Sequence, residues 1–290
     1  INTVLEQDDS LAVFETLDSQ KAIEAAFFET QCVHIKGFVG SGFSFRIAAA
    51  FQKNQHNLLL ILDNAEQAAY YLNDLERLLK PSDVLYFPAS YRQAYAQETT
   101  DNANVLLRSE VLKKISGSKK PRIIISYPQA VFEKIISQNT LKRITFKIIK
   151  DTILSLNFIN ESLFEMGFQR VDFVTSPGEF AVRGGIIDVF SFAYQHPYRI
   201  EFFDDTVERL CSFDVQTQRS ITAFDSIELL PDTSNNDFTD KRKSILEFFP
   251  ANSSFIFSNF DKTTARLEQL FEKATDAYNS KEVTTQYPPE

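Results

Sequence analysis

Sulfur is scarce in this sequence, which has two cysteines, one methionine and no tryptophan. Cys32 and Cys211 stand far apart inside apolar runs, the pattern of reduced, buried thiols rather than of a disulfide framework. Three histidines, His34, His56 and His196, are scattered without ligand spacing, which argues against a metal site. No apolar run approaches the roughly 18 residues of a membrane span. The opening INTVLEQDDS has neither a basic n-region nor an apolar h-region, so a cytoplasmic location is expected. Positive charge is short as well: 30 Lys and Arg against 39 Asp and Glu leave a net charge of −9 and a pI near 5.0. Gripping nucleic acid needs clustered cations, so that balance argues against DNA binding as the main task and favours partners met through a local site.

What is present is ordinary for a globular chain, with 43% hydrophobic and 24% charged residues. The 28 Phe fill core volume and carry no functional reading. A length of 290 residues is enough for two compact units. The ending YPPE closes no element and suggests a piece of a longer protein.

Strand-like and helix-like patterns alternate over residues 1–129. QCVHIKG reads as a buried strand, FSFRIAAAFQKN as a helix and NLLLILD as a fully apolar strand. The next helix, AEQAAYYLNDLERLL, has a capping-box start at Asn64 and Gln67. VLYFPA, NVLLRSEVLKKI and RIIISY continue the alternation, which implies a parallel sheet packed with helices. The character changes over 130–212: a basic strand LKRITFKIIK, a helix over 151–166, then the short strands FQRVDFVTS, GEFAVRG, GIIDVFSF, PYRIEFF and VERLCSFDV. Turn residues join them, so this part reads as an α+β domain with an antiparallel sheet. IELLP, SSFIFSNF and the helix TTARLEQLFEKATDAYN restore α/β character over 213–290, as if the small domain were inserted. TSNNDFTD reads as a surface loop.

The sharpest motif lies between the first strand and the first helix. Gly37, Gly40 and Gly42, three of eight glycines, fall within six residues, followed by Phe43 and Ser44. Against G-x-x-x-x-G-K-[ST], Phe43 stands where the lysine belongs. Glycine N–H groups and the hydroxyls of Ser41 and Ser44 suit phosphate and Mg²⁺, but phenylalanine brings no cation to the β- and γ-phosphates. No Asp-Glu doublet occurs anywhere to act as a Walker B motif. Tight ATP binding and hydrolysis are therefore not expected of this chain, although such a helix start can still attract an anion weakly.

Taken with GEFAVRGGIIDVF and PYRIEFFDDTVERLCSFDVQTQRS, this degenerate P-loop resembles the UvrB family of nucleotide-excision-repair helicases. It is closer still to the N-terminal, UvrB-like module of transcription-repair coupling factors, and the likeness runs from about Val33 to Phe257. The resemblance implies an α/β fold: a P-loop helicase-like parallel sheet with helices on both faces, plus a small inserted α+β domain with an antiparallel sheet. It implies a non-catalytic module that recruits the damage-recognition ATPase UvrA, with restraint of its parent translocase as a further expectation. The parent would use ATP and Mg²⁺ and would meet stalled RNA polymerase and DNA through other domains. No membrane partner is implied.

The inserted domain is where UvrA docks in these relatives. Alternation over GEFAVRG puts Phe180 and Val182 on one face and Glu179, Ala181 and Arg183 on the other. Arg170, Phe180, Arg183 and Glu201 are the candidate partner-binding residues, with Arg170 expected beside Arg183. Both arginines fall where the UvrB pattern has arginine, whereas Ala181 stands where UvrB has another. Each also has a plainer reading: an Arg on a strand is commonly a solvated or cross-strand partner, Phe180 fits a core position, and Glu201 fits a pair with Arg199 or Arg209. The alternative functions are an ATP-dependent UvrB-type helicase and a damaged-DNA-binding module. The missing lysine speaks against the first, and the lack of an aromatic hairpin between the glycine turn and NLLLILD against the second.

Overall fold

The computed structural model describes residues 40–54, 56–90, 102–117, 120–192, 194–233 and 242–280. Gly37, Cys32, the QCVHIKG segment and most of TSNNDFTD lie outside them. In chain order the elements are α1 (Gly42–Asn54), β1 (Leu58–Ile61), α2 (Ala65–Leu78), β2 (Val84–Tyr86), α3 (Asn102–Gly117) and β3 (Ile123–Ser126). Next come α4 (Pro128–Phe132), α5 (Gln138–Ile144), β4 (Phe146–Ile149), α6 (Leu156–Glu165), β5 (Gln169–Arg170), β6 (Glu179–Arg183) and β7 (Ile186–Val189). The remainder are β8 (Tyr198–Phe203), β9 (Thr206–Phe213), β10 (Ser220–Phe224), β11 (Ser226–Leu229), β12 (Ser254–Phe257) and α7 (Phe260–Asn279). They form two compact units, one from the residues up to Pro88, Ser118–Phe132 and Phe249 onward, the other from Ala89–Gly117 and Glu133–Phe248.

The first unit holds a parallel sheet of order β12-β1-β3-β2. Its two inner strands, LLLI and IIIS, are buried throughout, as strands flanked on both sides in a parallel sheet must be. Helix α2 starts where Asn64 accepts from the Gln67 N–H at 2.8 Å. The Gln67 side chain reaches back to the Asp63 N–H, one residue before the cap, so the expected box forms with a one-residue offset.

The second unit is built on a six-stranded sheet, β10-β9-β8-β7-β6-β5, antiparallel except for the short β5–β6 pair. A separate pair, β11-β4, lies beside it. Its core joins α6 (Ile159, Leu163) to one sheet face (Phe180, Ile187, Val189, Tyr198, Ile200, Leu210) and to Ile148, Ile227 and Leu229 of the small pair. Burying such side chains stabilises by roughly 1.5–3 kcal/mol each, and this one cluster sets which face of the sheet is closed.

The structure draws the edges of this unit differently from 130–212. Strand β10 pairs with β9, and β11 with β4, so an end at residue 212 would cut two ladders. At the other side the Glu133 carboxylate accepts from the Ser90 N–H at 3.0 Å and its hydroxyl at 2.7 Å, and pairs with Arg108 of α3 at 3.2 Å. Lys113 of α3 pairs with Glu228 at 2.8 Å. These bonds give α3 to the second unit, although its sequence reads as one more helix of the alternating region. LKRITFKIIK is also not one strand: Ser137 caps α5, which runs through Lys142 and Arg143, and only Phe146–Ile149 is extended. Helix α6 begins at Leu156 rather than 151, because Asp151–Leu154 bonds to Val207 and Asp205 as a bridge to β9. No helix among the described residues is long and apolar enough to cross a membrane.

Candidate functional site

The glycine turn is seen from Gly40 onward. Gly40 takes φ +56°, a left-handed conformation that glycine adopts without strain, and α1 begins two residues later. Ser41, Phe43 and Ser44 each lean on α2. The Ser41 hydroxyl lies 2.7 Å from the Tyr70 hydroxyl. Phe43 packs edge-on against Tyr71, with ring centroids 6.0 Å apart, and Tyr71 does the same with Tyr70 at 5.8 Å. Ser44 is fully buried and donates to Asp74 at 3.0 Å. Burial, then Tyr70, Asp74 and Asp63, push the Tyr71 hydroxyl above its ordinary pKa. Positions 43 and 44, where a working loop keeps a cation and a metal-binding hydroxyl, thus hold an aromatic contact and a bond to a carboxylate. A polyphosphate here would meet negative charge at close range.

The other candidate lies on the sheet face turned away from α6. Cross-strand register lines up Ala181, Asp188, Arg199 and Cys211 in one row and Arg183, Ile186, Glu201 and Arg209 in the next. Asp188, 1% exposed, sits between two arginines. Arg199 grips it at 2.7 Å (Nε) and 2.9 Å (Nη2), stacks 4.4 Å above the Phe213 ring and bonds the Gln218 side chain at 3.2 Å. That bond to Asp188, more than any other influence, holds the Arg199 guanidinium above its ordinary pKa. Arg183 bonds the same carboxylate through Nη2, with its guanidinium 5.1 Å from the centre of the Phe173 ring. Glu201 accepts from Arg209 at 3.0 Å, the plainer of the readings open to it.

The sequence candidates part company here. Arg183 is on the open face. Phe180 is fully buried in the core and touches Phe164, centroids 5.1 Å apart, so its place among the contact residues is corrected: in the folded state no partner reaches it. Arg170 is exposed but is paired in register with Phe180. Residues paired in register share a face, so Arg170 leaves the β5 edge on the α6 side, while Val171 turns to the open face and packs near Ala181 and Phe190. The expected adjacency of Arg170 and Arg183 is therefore not found. Asp188 and Phe173 escaped the sequence reading. The one available signal was an acid between Ile187 and Val189 in an apolar strand. Glu179, beside Phe180, is taken up by the turn before it, accepting from the Thr175 and Ser176 N–H groups at 2.7 and 2.8 Å. Among the described residues no group of His, Cys, Asp and Glu could hold a metal ion.

Residues 146–234 match the UvrB interaction domain family, a span that opens with β4, closes after β11 and contains the whole six-stranded sheet. Beyond this domain the chain is similar to proteins named transcription-repair-coupling factor. It is 29% identical over 68% of its length to the Bacillus subtilis protein, 31% over 73% to that of Staphylococcus haemolyticus and 27% over 79% to that of Haemophilus influenzae. The matched part is only 17%, 18% and 20% of those proteins, so the chain spans a fifth of their length or less. The alignments are longer than the UvrB interaction domain and so take in part of the α/β unit as well.

Proposed function

We propose that this chain is the UvrB-like module of a transcription-repair coupling factor and that its UvrB interaction domain docks UvrA. The observation that carries this reading is the open sheet face, where Arg183 stands half-exposed on a row of ion pairs inside the matched domain. An exposed arginine on a rigid strand suits a partner carboxylate, because its planar fork donates in parallel to both oxygens. The exposed Arg170 at the β5 edge extends the contact around that edge.

The α/β unit is read as non-catalytic. Phe43 and Ser44 are committed to α2, and Asp74 adds negative charge where phosphates would sit. In the parent protein this module would bring UvrA to stalled transcription complexes, and masking of the docking face would restrain the parent translocase. Contact with RNA polymerase and DNA is assigned to other parts of that protein.

Titrating the whole chain with purified UvrA tests the reading. Wild type should bind, and the Arg170→Ala/Arg183→Glu variant should not while still unfolding cooperatively in a melt. Equal binding by both would overturn the proposed face. Unchanged translocation after deletion of the module from the parent would end the restraint hypothesis.

A further inference from the structure

The open face carries more than one exposed arginine. Resting on the docking reading above, we infer that Phe173, Arg183 and Asp188 form a single preorganised receptor for a partner carboxylate flanked by an apolar side chain, with Phe173 as a contact residue and Asp188 as a positioning residue.

The argument begins with charge. Asp188 is almost wholly buried and is satisfied on both oxygens by Arg199, which is itself held over Phe213 and by Gln218. That pair would be neutral alone. Arg183 adds a bond to the same carboxylate and leaves the group of three with one surplus positive charge, carried by the outermost member at 38% exposure. Glu201 and Arg209 in the same row cancel each other, and Glu179 is bound into the preceding turn, so neither of these acids takes up that surplus. A partner carboxylate is the complement.

Geometry supplies the second step. A long exposed arginine normally loses rotamer freedom on binding, at a cost to affinity. Here one edge of the guanidinium is held by Asp188 and one face lies on the Phe173 ring, so its direction is set before a partner arrives. Only one Nη is used by Asp188 among the hydrogen bonds described, which leaves donors for the incoming acid. Phe173 is 63% exposed, an unusual position for a ring whose neighbours Val171 and Val174 pack inward beside Ala181. Its outer surface lies next to the charge and offers an apolar contact of the kind that anchors interfaces. Asp188 has no reach to solvent and acts only through Arg183.

The test is a set of UvrA titrations of the whole chain, with thermal melts alongside. Arg183→Ala should lose about a hundredfold or more in affinity, as expected when one partner of a desolvated charge pair is removed. Phe173→Ala should lose about fivefold to tenfold and melt like wild type, because the ring is exposed. Asp188→Asn should lose about tenfold. In the Arg183→Ala background, neither Phe173→Ala nor Asp188→Asn should add its full loss. A purely structural Asp188 would weaken both backgrounds equally. Arg183→Lys should bind nearly as poorly as Arg183→Ala, since one ammonium cannot serve Asp188 and the partner in a fork. Wild-type affinity for Phe173→Ala, or full additivity of Asp188→Asn, with Arg183→Ala still weak, overturns this inference and leaves the docking reading standing. Wild-type affinity for Arg183→Ala, or no binding by wild type, overturns both. Should Asp188→Asn fail to fold, Phe173→Ala and Arg183→Lys decide the matter.

Discussion

The glycine turn at residues 40–44 and the sheet face around Arg183 both place polar groups where a ligand could be met, yet they are opposite in what they leave unspent. At the turn, the ligand-facing positions are used internally: Ser41 meets Tyr70, Phe43 meets Tyr71 and Ser44 meets Asp74. On the sheet, Asp188 and Arg199 neutralise each other and Arg183 remains as surplus charge at the surface. A site is thus judged by the balance of its groups after the fold has taken its share. Motif spacing alone is a poorer guide, since the glycine turn has the stronger motif and the weaker site.

Several experiments would break or sharpen that contrast. The largest effect on binding is expected from Arg183→Glu, which places a carboxylate beside Asp188 and should abolish UvrA binding, a loss of about 5 kcal/mol or more in a titration. Binding at wild-type strength would remove the contrast altogether. Phe180→Ala should cost about 3–5 kcal/mol in a denaturant melt, because it empties a fully buried site, and its effect on binding should vanish once the folded fraction is corrected. A specific loss of affinity at equal folding would restore Phe180 as a contact.

At the turn, Phe43→Lys recreates the missing cation but removes the contact with Tyr71, and should destabilise by about 1 kcal/mol without producing ATP binding by calorimetry. Tight, Mg²⁺-dependent ATP binding by this variant would show that the lysine alone was lacking. The smallest effect belongs to Asp83. Burial pushes its carboxyl upward, but bonds from Lys120 and Ser82 together with the charges of Lys120 and Arg122 outweigh burial and leave its pKa below the ordinary value. A lowered acid stabilises the fold above its unfolded pKa, and that contribution is lost as pH falls through the folded value. Lys120→Ala should therefore cost under about 1 kcal/mol at neutral pH and nothing in acid, read from melts at several pH values.

Much of this was legible from residue order. The apolar LLLI and IIIS runs, flanked by helical patterns, could only be inner strands of a parallel sheet. Alternation in EFAVR separated Phe180 and Val182 from Arg183, but it did not say which face is the core, which left Phe180 among the candidate contact residues. The placement of Arg170 was out of reach, because β5 is two residues long and nothing local states with which residue it pairs. Helix α3 was misassigned for a similar reason: Glu133 and Glu228, which hold it, lie far along the chain.

Local chemistry by itself determined the inner strands of the parallel sheet, the capped start of α2, the loss of the P-loop lysine and the separation of Arg183 from Phe180 across β6, since each depends on neighbours within a few residues. Only the tertiary structure decided that α2 closes the glycine turn, that Asp188 is shared by two arginines and that one of those arginines, Arg183, stands at the surface. Those outcomes depend on strand register and on which distant groups share a buried carboxylate, and charge balance in a desolvated site is a property of the assembled neighbourhood.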